Sequence, residues 1–325
     1  MSRLILAPME GLADDVLRDV LTRAGGYDWC VTEFVRVTNT VLPHASYTRV
    51  SPELKNASRT RAGTPVRIQL LGSDPVLLAE NAASLAALHP AGIDLNFGCP
   101  APLVNRNRAG AALLAEPELL HRIAAAVRQA VPAAIPVTAK MRLGIADTGL
   151  ALDCARALAA GGMQELVVHG RTRQDGFRAP ARWEWIARIR AAVAVPVIAN
   201  GDVWNVADYR AIRAATGCAD VMLGRGAVAD PLLAMRIRGG GGGEQAGAAD
   251  WTALRPLLAD FWALVQAKLH ACHVPGRLKQ WLGLLRRSYP EADALYRDIR
   301  ELRAAAEVAL ALARNGIELQ PGGMA

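Results

Sequence analysis

The segment IDLNFGCP, residues 93–100, joins a short apolar run to a polar, glycine-containing end. Seven other segments are similar short apolar runs, and most of them also end in polar or glycine-rich residues. They are residues 4–8, 29–35, 66–71, 137–141, 166–169, 195–200 and 221–224. Apolar runs that are continuous rather than alternating are typical of strands buried on both faces.

Stretches rich in alanine and leucine separate these runs, and their apolar residues recur at helical spacing. Examples are residues 75–88, 117–130, 150–160 and 183–193. Eight strand-helix units over roughly 235 residues predict an α/β fold of the (β/α)8 barrel type. An open doubly wound sheet would place phosphate-binding glycines after its first strand. Only Met9-Glu10-Gly11 stands there, so the barrel is favoured.

A run of five glycines at 239–243 interrupts the pattern and indicates a flexible linker. Residues 251–268, 276–289 and 291–315 then show helical periodicity. We therefore predict a barrel domain at 1–238, a linker at 239–249 and a small all-helical domain at 250–325.

Composition narrows the class of protein. The 325 residues are 52% hydrophobic and 21% charged, as in packed globular proteins, and the net charge of +7 favours a polyanionic partner. Five cysteines without a C-x-x-C pair argue against a disulfide framework or a cysteine-rich zinc site. The N-terminus reaches Glu10 too early for a signal peptide, and no apolar run approaches the ~18 residues of a membrane span. We expect a cytoplasmic monomer without metal or membrane.

The strand ends carry the polar residues, and in a barrel these ends form the catalytic face. Glycines at 199–202 and 223–226 follow strands seven and eight, the usual phosphate position, and Arg225 could neutralise the phosphate. The alternative is that these glycines only turn the chain. The residues supply neither a zinc tetrahedron nor a Ser-His-Asp set, which favours an organic cofactor with an anionic tail.

Four further side chains could take part in binding or chemistry, and three of them also have an interpretation without any such role. Lys140 could stabilise negative charge on a cofactor or be a solvated lysine, and His169 could orient a ligand or be structural. Gln69 could bond a cofactor edge, although that signal is weak alone. Cys99, between Gly98 and Pro100, could be a buried apolar residue or a general acid, since a thiol is mostly protonated at neutral pH.

Several motifs, in this order, resemble the bacterial tRNA-dihydrouridine synthases over nearly the whole chain. They are LAPMEG at 6–11, DLNFGCP at 94–100, AKMRLG at 139–144, VHGRT at 168–172 and IANGD at 198–202. The resemblance implies reduction of tRNA uridine by FMN, with hydride passing to C6 and Cys99 protonating C5, and with NADPH as electron source. It implies that Asn96 contacts the base. It places FMN on Pro8, Met9, Glu10, Gln69, Lys140, His169, Asn200, Gly201, Asp202, Gly224 and Arg225.

Within that family the C-type enzymes, which reduce uridine 16 of the D-loop, are most similar. The resemblance to them places Arg36, Lys279, Trp281 and Arg286 on tRNA. For Trp281 a core position is the alternative, because Leu278, Trp281, Leu282 and Leu285 form one apolar stripe.

The chain departs from the family pattern in two respects. Phe97 and Ala101-Pro102 replace smaller or more polar residues, and the five-glycine run is unusual. Two other functions stay open. One is a flavin-dependent barrel that acts on a small molecule or on another tRNA uridine, and the other is a tRNA-binding protein without catalysis.

The run from Asp260 to Glu291 contains no acidic residue between its ends. It holds Lys268, Arg277, Lys279, Arg286 and Arg287. Such a run predicts a phosphate-binding face, with an ordinary solvated face as the alternative.

Overall fold

Eight parallel strands close into a barrel in the computed structural model, which describes residues 2–239 and 248–319. The strands follow chain order around the barrel, and β1 pairs with β8 through Leu4 and Val221. They are β1 Leu4–Leu6, β2 Trp29–Arg36, β3 Val66–Leu71, β4 Ile93–Phe97, β5 Val137–Arg142, β6 Leu166–His169, β7 Val197–Asn200 and β8 Val221–Leu223. The predicted (β/α)8 barrel is confirmed.

Helices connect the strands on the outside of the barrel. Those of the barrel are α1 Asp15–Ala24, α2 His44–Val50, α3 Pro75–Ala86, α4 Pro102–Arg106, α5 Pro117–Ala130, α6 Ala151–Ala160, α7 Trp183–Ala192, α8 Val206–Thr216, α9 Arg225–Ala229 and α10 Leu233–Ile237. Short 3-10 turns lie at Pro52–Asn56, Gly110–Ala115 and Ala271–His273. The C-terminal helices are α11 Ala248–Lys268, α12 Val274–Leu285, α13 Pro290–Ile299 and α14 Ala305–Arg314.

The C-terminal part differs from the sequence expectation in two places. The predicted helix at 291–315 is two helices, α13 and α14, with a break between Ile299 and Ala305. The predicted linker at 239–249 overlaps α11, which begins at Ala248, and the division into domains stays a prediction. Residues 240–247 of that linker lie outside the described residues.

Apolar side chains fill the inside of the barrel. This cluster consists of Ile5, Ala7, Trp29, Val31, Val167, Ile198 and Met222. At the amino end of the strands, Arg3 and Arg67 both pair with Glu165, with N–O distances of 2.5 and 2.7 Å, and both guanidinium groups lie over Trp29. This end of the barrel is closed, so a ligand has to enter at the carboxyl ends of the strands.

The C-terminal helices pack against the barrel and share one continuous hydrophobic core with it. Trp281 of α12 is 1% exposed, packs against Phe261 and donates its indole N–H to the Val228 carbonyl of α9, at 3.1 Å. Tyr289 donates its hydroxyl to Asp230 at 2.7 Å. These contacts place α12 beside the segment that follows β8, which belongs to the catalytic face of such a barrel.

Candidate active site

A cavity of about 660 Å³ opens at the carboxyl ends of the strands. Its lining contains every residue predicted to hold the cofactor, together with Asn96 and Cys99. Barrel closure therefore brings together side chains that are up to 217 residues apart in sequence, from Pro8 to Arg225. That these residues bind a cofactor stays a prediction.

The loop that carries Cys99 is fixed by two asparagine side chains. Asn96 Oδ1 accepts hydrogen bonds from the backbone N–H groups of Gly98 and Cys99, both at 2.9 Å. From the other side, Asn105 Nδ2 donates to the Cys99 carbonyl at 2.9 Å. The backbone of Cys99 is thereby held while its side chain lines the cavity.

Asn96 is in turn oriented by a buried chain of polar side chains. Thr138 Oγ1 and Gln69 Nε2 donate to the two carboxylate oxygens of Asp94, at 2.6 and 2.7 Å. Because the amide N–H of Gln69 donates to Asp94, its Oε1 faces Asn96 and accepts a hydrogen bond from Asn96 Nδ2 at 2.7 Å. The orientation of Asn96, and with it the cap on the Cys99 loop, therefore depends on Asp94.

The environment of Cys99 keeps its thiol protonated. Burial raises the pKa of Cys99 above its ordinary value, opposed by the backbone of Ala101. The charge of Glu10 raises it further, and the charges of Arg142 and Lys140 lower it. The sum is an upward shift, so at neutral pH the cavity contains an S–H group that can donate a proton.

The ammonium group of Lys140 makes no hydrogen bond or ion pair among the described residues. Burial, followed by the charge of Arg142, lowers the pKa of Lys140 to about 8. An unpaired and poorly hydrated ammonium group is costly, and a bound anion would relieve that cost.

His169 is buried and neutral. Burial, and after it the charges of Lys140, Arg142, Arg171 and Arg225, lowers its pKa well below the ordinary value. Arg171 Nη1 lies 3.3 Å from His169 Nε2. Because a guanidinium can only donate, we assign the ring proton to Nδ1.

The segments after β7 and β8 form a cationic end of the cavity. Asp202 does not contribute a free carboxylate there, because both of its oxygens accept from Arg171 Nη2, at 2.6 and 2.5 Å. The Asn200 amide donates to the Met222 carbonyl at 2.8 Å and so ties β7 to β8. Arg225 makes no ion pair in the described chain, and its charge remains available for an anion.

An acidic pair lines the cavity at β1 and β2, where Glu10 follows β1, the neighbour of β8, and Glu33 lies within β2. Glu33 accepts the backbone N–H of Gly11 at 2.5 Å, and Glu10 lies at the exposed rim. Partial burial, followed by the charge of Glu33, raises the pKa of Glu10 to about 7. The cavity lining thus combines cationic groups from β5 to β8 with an acidic pair from β1 and β2, and a ligand with an anionic tail would place that tail at the cationic groups.

The residues predicted to contact tRNA lie outside this cavity, except Asn96. Lys279 donates to the carbonyls of Arg300 and Leu302, at 3.0 and 2.6 Å. Arg286 is exposed and pairs with Asp293 at 2.8 Å. Arg36 is half-buried at the end of β2.

For Trp281, the structure shows the core position that its apolar stripe indicates. In this conformation the buried indole presents no surface to RNA. A direct contact between Trp281 and tRNA stays a prediction.

The basic run between Asp260 and Glu291 is not a one-signed face in three dimensions. Arg277 pairs with Asp14 of the barrel at 3.0 Å, and Lys268 forms ion pairs with Asp14 and Asp15. The sequence could not reveal this, because these partners lie more than 250 positions away.

Several cavity residues were not among the predicted site residues, and those with large or charged side chains include Phe34, Arg142, Arg171, Phe177 and Trp204. Arg142 and Arg171 stand in the AKMRLG and VHGRT motifs, and their position at the ends of β5 and β6 could have identified them. Arg142 binds the carbonyls of Gly98, Thr172 and Gly176, at 2.8 to 2.9 Å. Nothing in the sequence pattern singles out Phe177 or Trp204.

Residues 2–239 and 248–319 offer neither a membrane span nor a metal cluster. No helix there has both the length and the apolar character needed to cross a membrane. No group of three or more His, Cys, Asp or Glu side chains in those ranges is arranged to hold a metal ion.

Comparison with known proteins identifies relatives over nearly the full length. The family model described as "Dihydrouridine synthase (Dus)" matches residues 5–250. The chain is 57% identical over 327 residues to the tRNA-dihydrouridine(16) synthase of Ralstonia nicotianae, covering 99% of this chain and all of that protein. It is 59% identical to the protein of the same name from Cupriavidus necator, with 95% of each chain covered. A relative of that name from Neisseria meningitidis serogroup A is 48% identical, over 94% of this chain and 92% of its own.

We expect the Asp94→Ala variant to lose ~2–4 kcal/mol of unfolding free energy, because Gln69 Nε2 and Thr138 Oγ1 lose their buried acceptors. Asp94→Asn should lose less, since an amide oxygen still accepts. Denaturant unfolding measures both. Asp153→Ala, which removes an exposed ion pair on α6, is the control. Equal losses for Asp94→Ala and Asp153→Ala would show that the chain of bonds is dispensable.

Glu10→Gln should stabilise the fold more at pH 8 than at pH 5. The folded-state pKa of Glu10, about 7, lies above its unfolded value, so wild-type stability falls as pH rises towards 7 while the glutamine does not titrate. Melting temperatures at the two pH values measure the effect. Glu307→Gln, on the exposed surface of α14, is the control for removal of a carboxylate outside the cavity. A pH-independent difference for Glu10→Gln would contradict the raised pKa.

Proposed function

Because the chain belongs to the dihydrouridine synthase family, we propose that it reduces uridine to 5,6-dihydrouridine in the D-loop of tRNA, at position 16. The proposal includes FMN as cofactor, NADPH as electron source and a cytoplasmic monomer as the working form. The observation that carries it is one cavity lined by Cys99, Lys140 and the glycine-rich ends of β7 and β8. The name shared by the relatives supports the position in tRNA.

The cavity fits FMN in size and charge. Its volume of about 660 Å³ is in the usual range for cofactor pockets. Arg225 offers an unpaired guanidinium for the phosphate. A Cβ on Gly226 would lie 1.9 Å from the Val203 carbonyl oxygen, so only glycine permits this close approach of α9 to the segment after β7. Lys140 offers the cation that a negatively charged isoalloxazine requires.

FMN held by these residues would supply, in its reduced form, the hydride for C6 of the uracil ring, with NADPH as the electron source. The protein supplies the second hydrogen. Cys99 donates its thiol proton to C5, which completes the reduction of the C5–C6 double bond and leaves a thiolate. The charges of Arg142 and Lys140 stabilise that thiolate until water returns the proton.

Asn96 links the positioning of Cys99 to recognition of the base. One N–H of its amide bonds Gln69 and its oxygen caps the Cys99 loop, so the second N–H is left for a uracil carbonyl. The base can reach this group only after leaving its stack, because the closed barrel admits ligands only at its mouth.

The tRNA body would lie against the mouth and the C-terminal helices. Arg36 and Arg286 offer partly exposed guanidinium groups for phosphates. Lys279 and Trp281 would act by holding α12 in place, through the Arg300 carbonyl and the Val228 carbonyl respectively.

The Cys99→Ala variant should retain FMN and tRNA but lose ~10²–10⁴-fold in the rate of uridine reduction, the usual contribution of a general acid. Wild-type activity should also fall at alkaline pH as the thiol ionises, because only its protonated form donates. Single-turnover rates on tRNA measure both effects. Cys272→Ala, which removes an exposed thiol outside the cavity, should keep full activity. Undiminished turnover by Cys99→Ala would remove Cys99 from this role.

A further inference from the structure

Arg287 differs from the other lysines and arginines of its run in that its charged group has neither an ion-pair nor a hydrogen-bond partner among the described residues. Lys268, Arg277 and Arg286 all form ion pairs, whereas Arg287 forms none among the described residues. It is exposed, and its guanidinium carbon lies 3.8 Å from the centroid of a Trp204 ring. The side chain is therefore placed by stacking and keeps its full charge available.

Stacking leaves the binding edge of a guanidinium free. The guanidinium carbon of Arg287 lies over the Trp204 ring at a distance typical of stacking. A guanidinium stacked on an aromatic ring keeps its N–H donors free in its own plane. No side-chain hydrogen bond of Arg287 is present in the described part of the chain. A planar fork with unused donors matches two oxygens of a phosphate.

A second guanidinium group, that of Arg225, also contacts Trp204. Arg225 lies 5.2 Å from a Trp204 ring centroid and lines the cavity, which Arg287 does not. Burial, followed by the charge of Arg171, lowers the pKa of Arg225, and the charge of Arg287 adds to this effect. Like charges this close favour binding of anions between or beside them.

We propose that Arg287 and Trp204 bind a backbone phosphate of tRNA at the rim of the cavity. The proposal rests on the proposed function, since it concerns the RNA strand next to the uridine that enters the cavity. A flipped nucleotide keeps its flanking phosphates outside the pocket. Arg287 follows α12 and lies over Trp204 of the cavity lining, where it can reach such a phosphate. Arg225 itself lines the cavity and can bind an anion inside it.

Salt-dependent tRNA affinity of the FMN-loaded protein tests the proposal. Arg287→Ala should bind tRNA about tenfold more weakly, and the slope of log K against log salt should become shallower by about 0.7–0.9, as for one lost phosphate contact. Arg287→Lys should fall between Arg287→Ala and wild type, because it keeps the charge without the planar fork.

Arg188→Ala is the matched control. Arg188 is exposed and lies 4.6 Å from a Trp185 ring centroid on α7, so it repeats the stacked pair away from the cavity. Its removal should change neither affinity nor salt slope. Melting temperatures of both variants show whether folding is retained.

Two results would overturn the proposal while leaving the proposed function intact. One is wild-type affinity and salt slope in Arg287→Ala. The other is weaker FMN retention with an unchanged tRNA salt slope, which would assign Arg287 to the cofactor phosphate. Failure of the wild-type protein to bind tRNA would instead contradict the proposed function itself.

Discussion

Pairing of β1 with β8 is the constraint on which the rest of the molecule depends. It joins Leu4–Leu6 to Val221–Leu223 and turns an open parallel sheet into a closed barrel. Because all eight strands run in the same direction, their carboxyl ends meet at one mouth. Pro8, Cys99 and Arg225 therefore line one cavity. The opposite end is closed by Arg3, Arg67 and Glu165, so chemistry is confined to the mouth.

Burial of charge at this mouth explains its unusual protonation states. Lys140, Arg142 and Arg225 all have lowered pKa values, and desolvation is the largest cause for each. Glu10 and Cys99 are shifted upward for the same reason. Desolvated charged groups with shifted pKa values are concentrated at functional sites, where a bound ligand can offset the cost of their burial. In the proposed function, the cationic side receives the cofactor and the protonated thiol supplies the acid.

The sequence was a good guide to features that depend on strand order. Continuous apolar runs predicted the barrel, and the rule that strand ends form one face predicted that Gln69, Lys140 and Asn200 would line a common cavity. It was a poor guide to partners that are brought near only by folding. The carboxylate of Asp94 orients Gln69 and thereby Asn96, a relation that no motif reveals.

Long-range packing also decided which basic residues are available for RNA. Arg277 is neutralised by Asp14 beside α1, across the boundary between barrel and C-terminal helices. Arg287, only ten positions later, stacks on Trp204 and keeps its charge. A count of charges along the sequence treats Arg277 and Arg287 alike, because it does not include acidic residues that only folding brings near them. The apolar stripe that contains Trp281 was more reliable, since helical periodicity reports directly on the buried face.

The most direct test of the account is to map dihydrouridine in an unmodified tRNA transcript. The transcript would be incubated with the protein, FMN and NADPH, and its nucleotides analysed by mass spectrometry. We expect the uridine at position 16, the position in the name of the relatives, to gain two hydrogen atoms, and the other uridines to stay unchanged. A flavin-loaded protein that leaves every uridine unchanged, while it oxidises NADPH with a small-molecule acceptor, would contradict it.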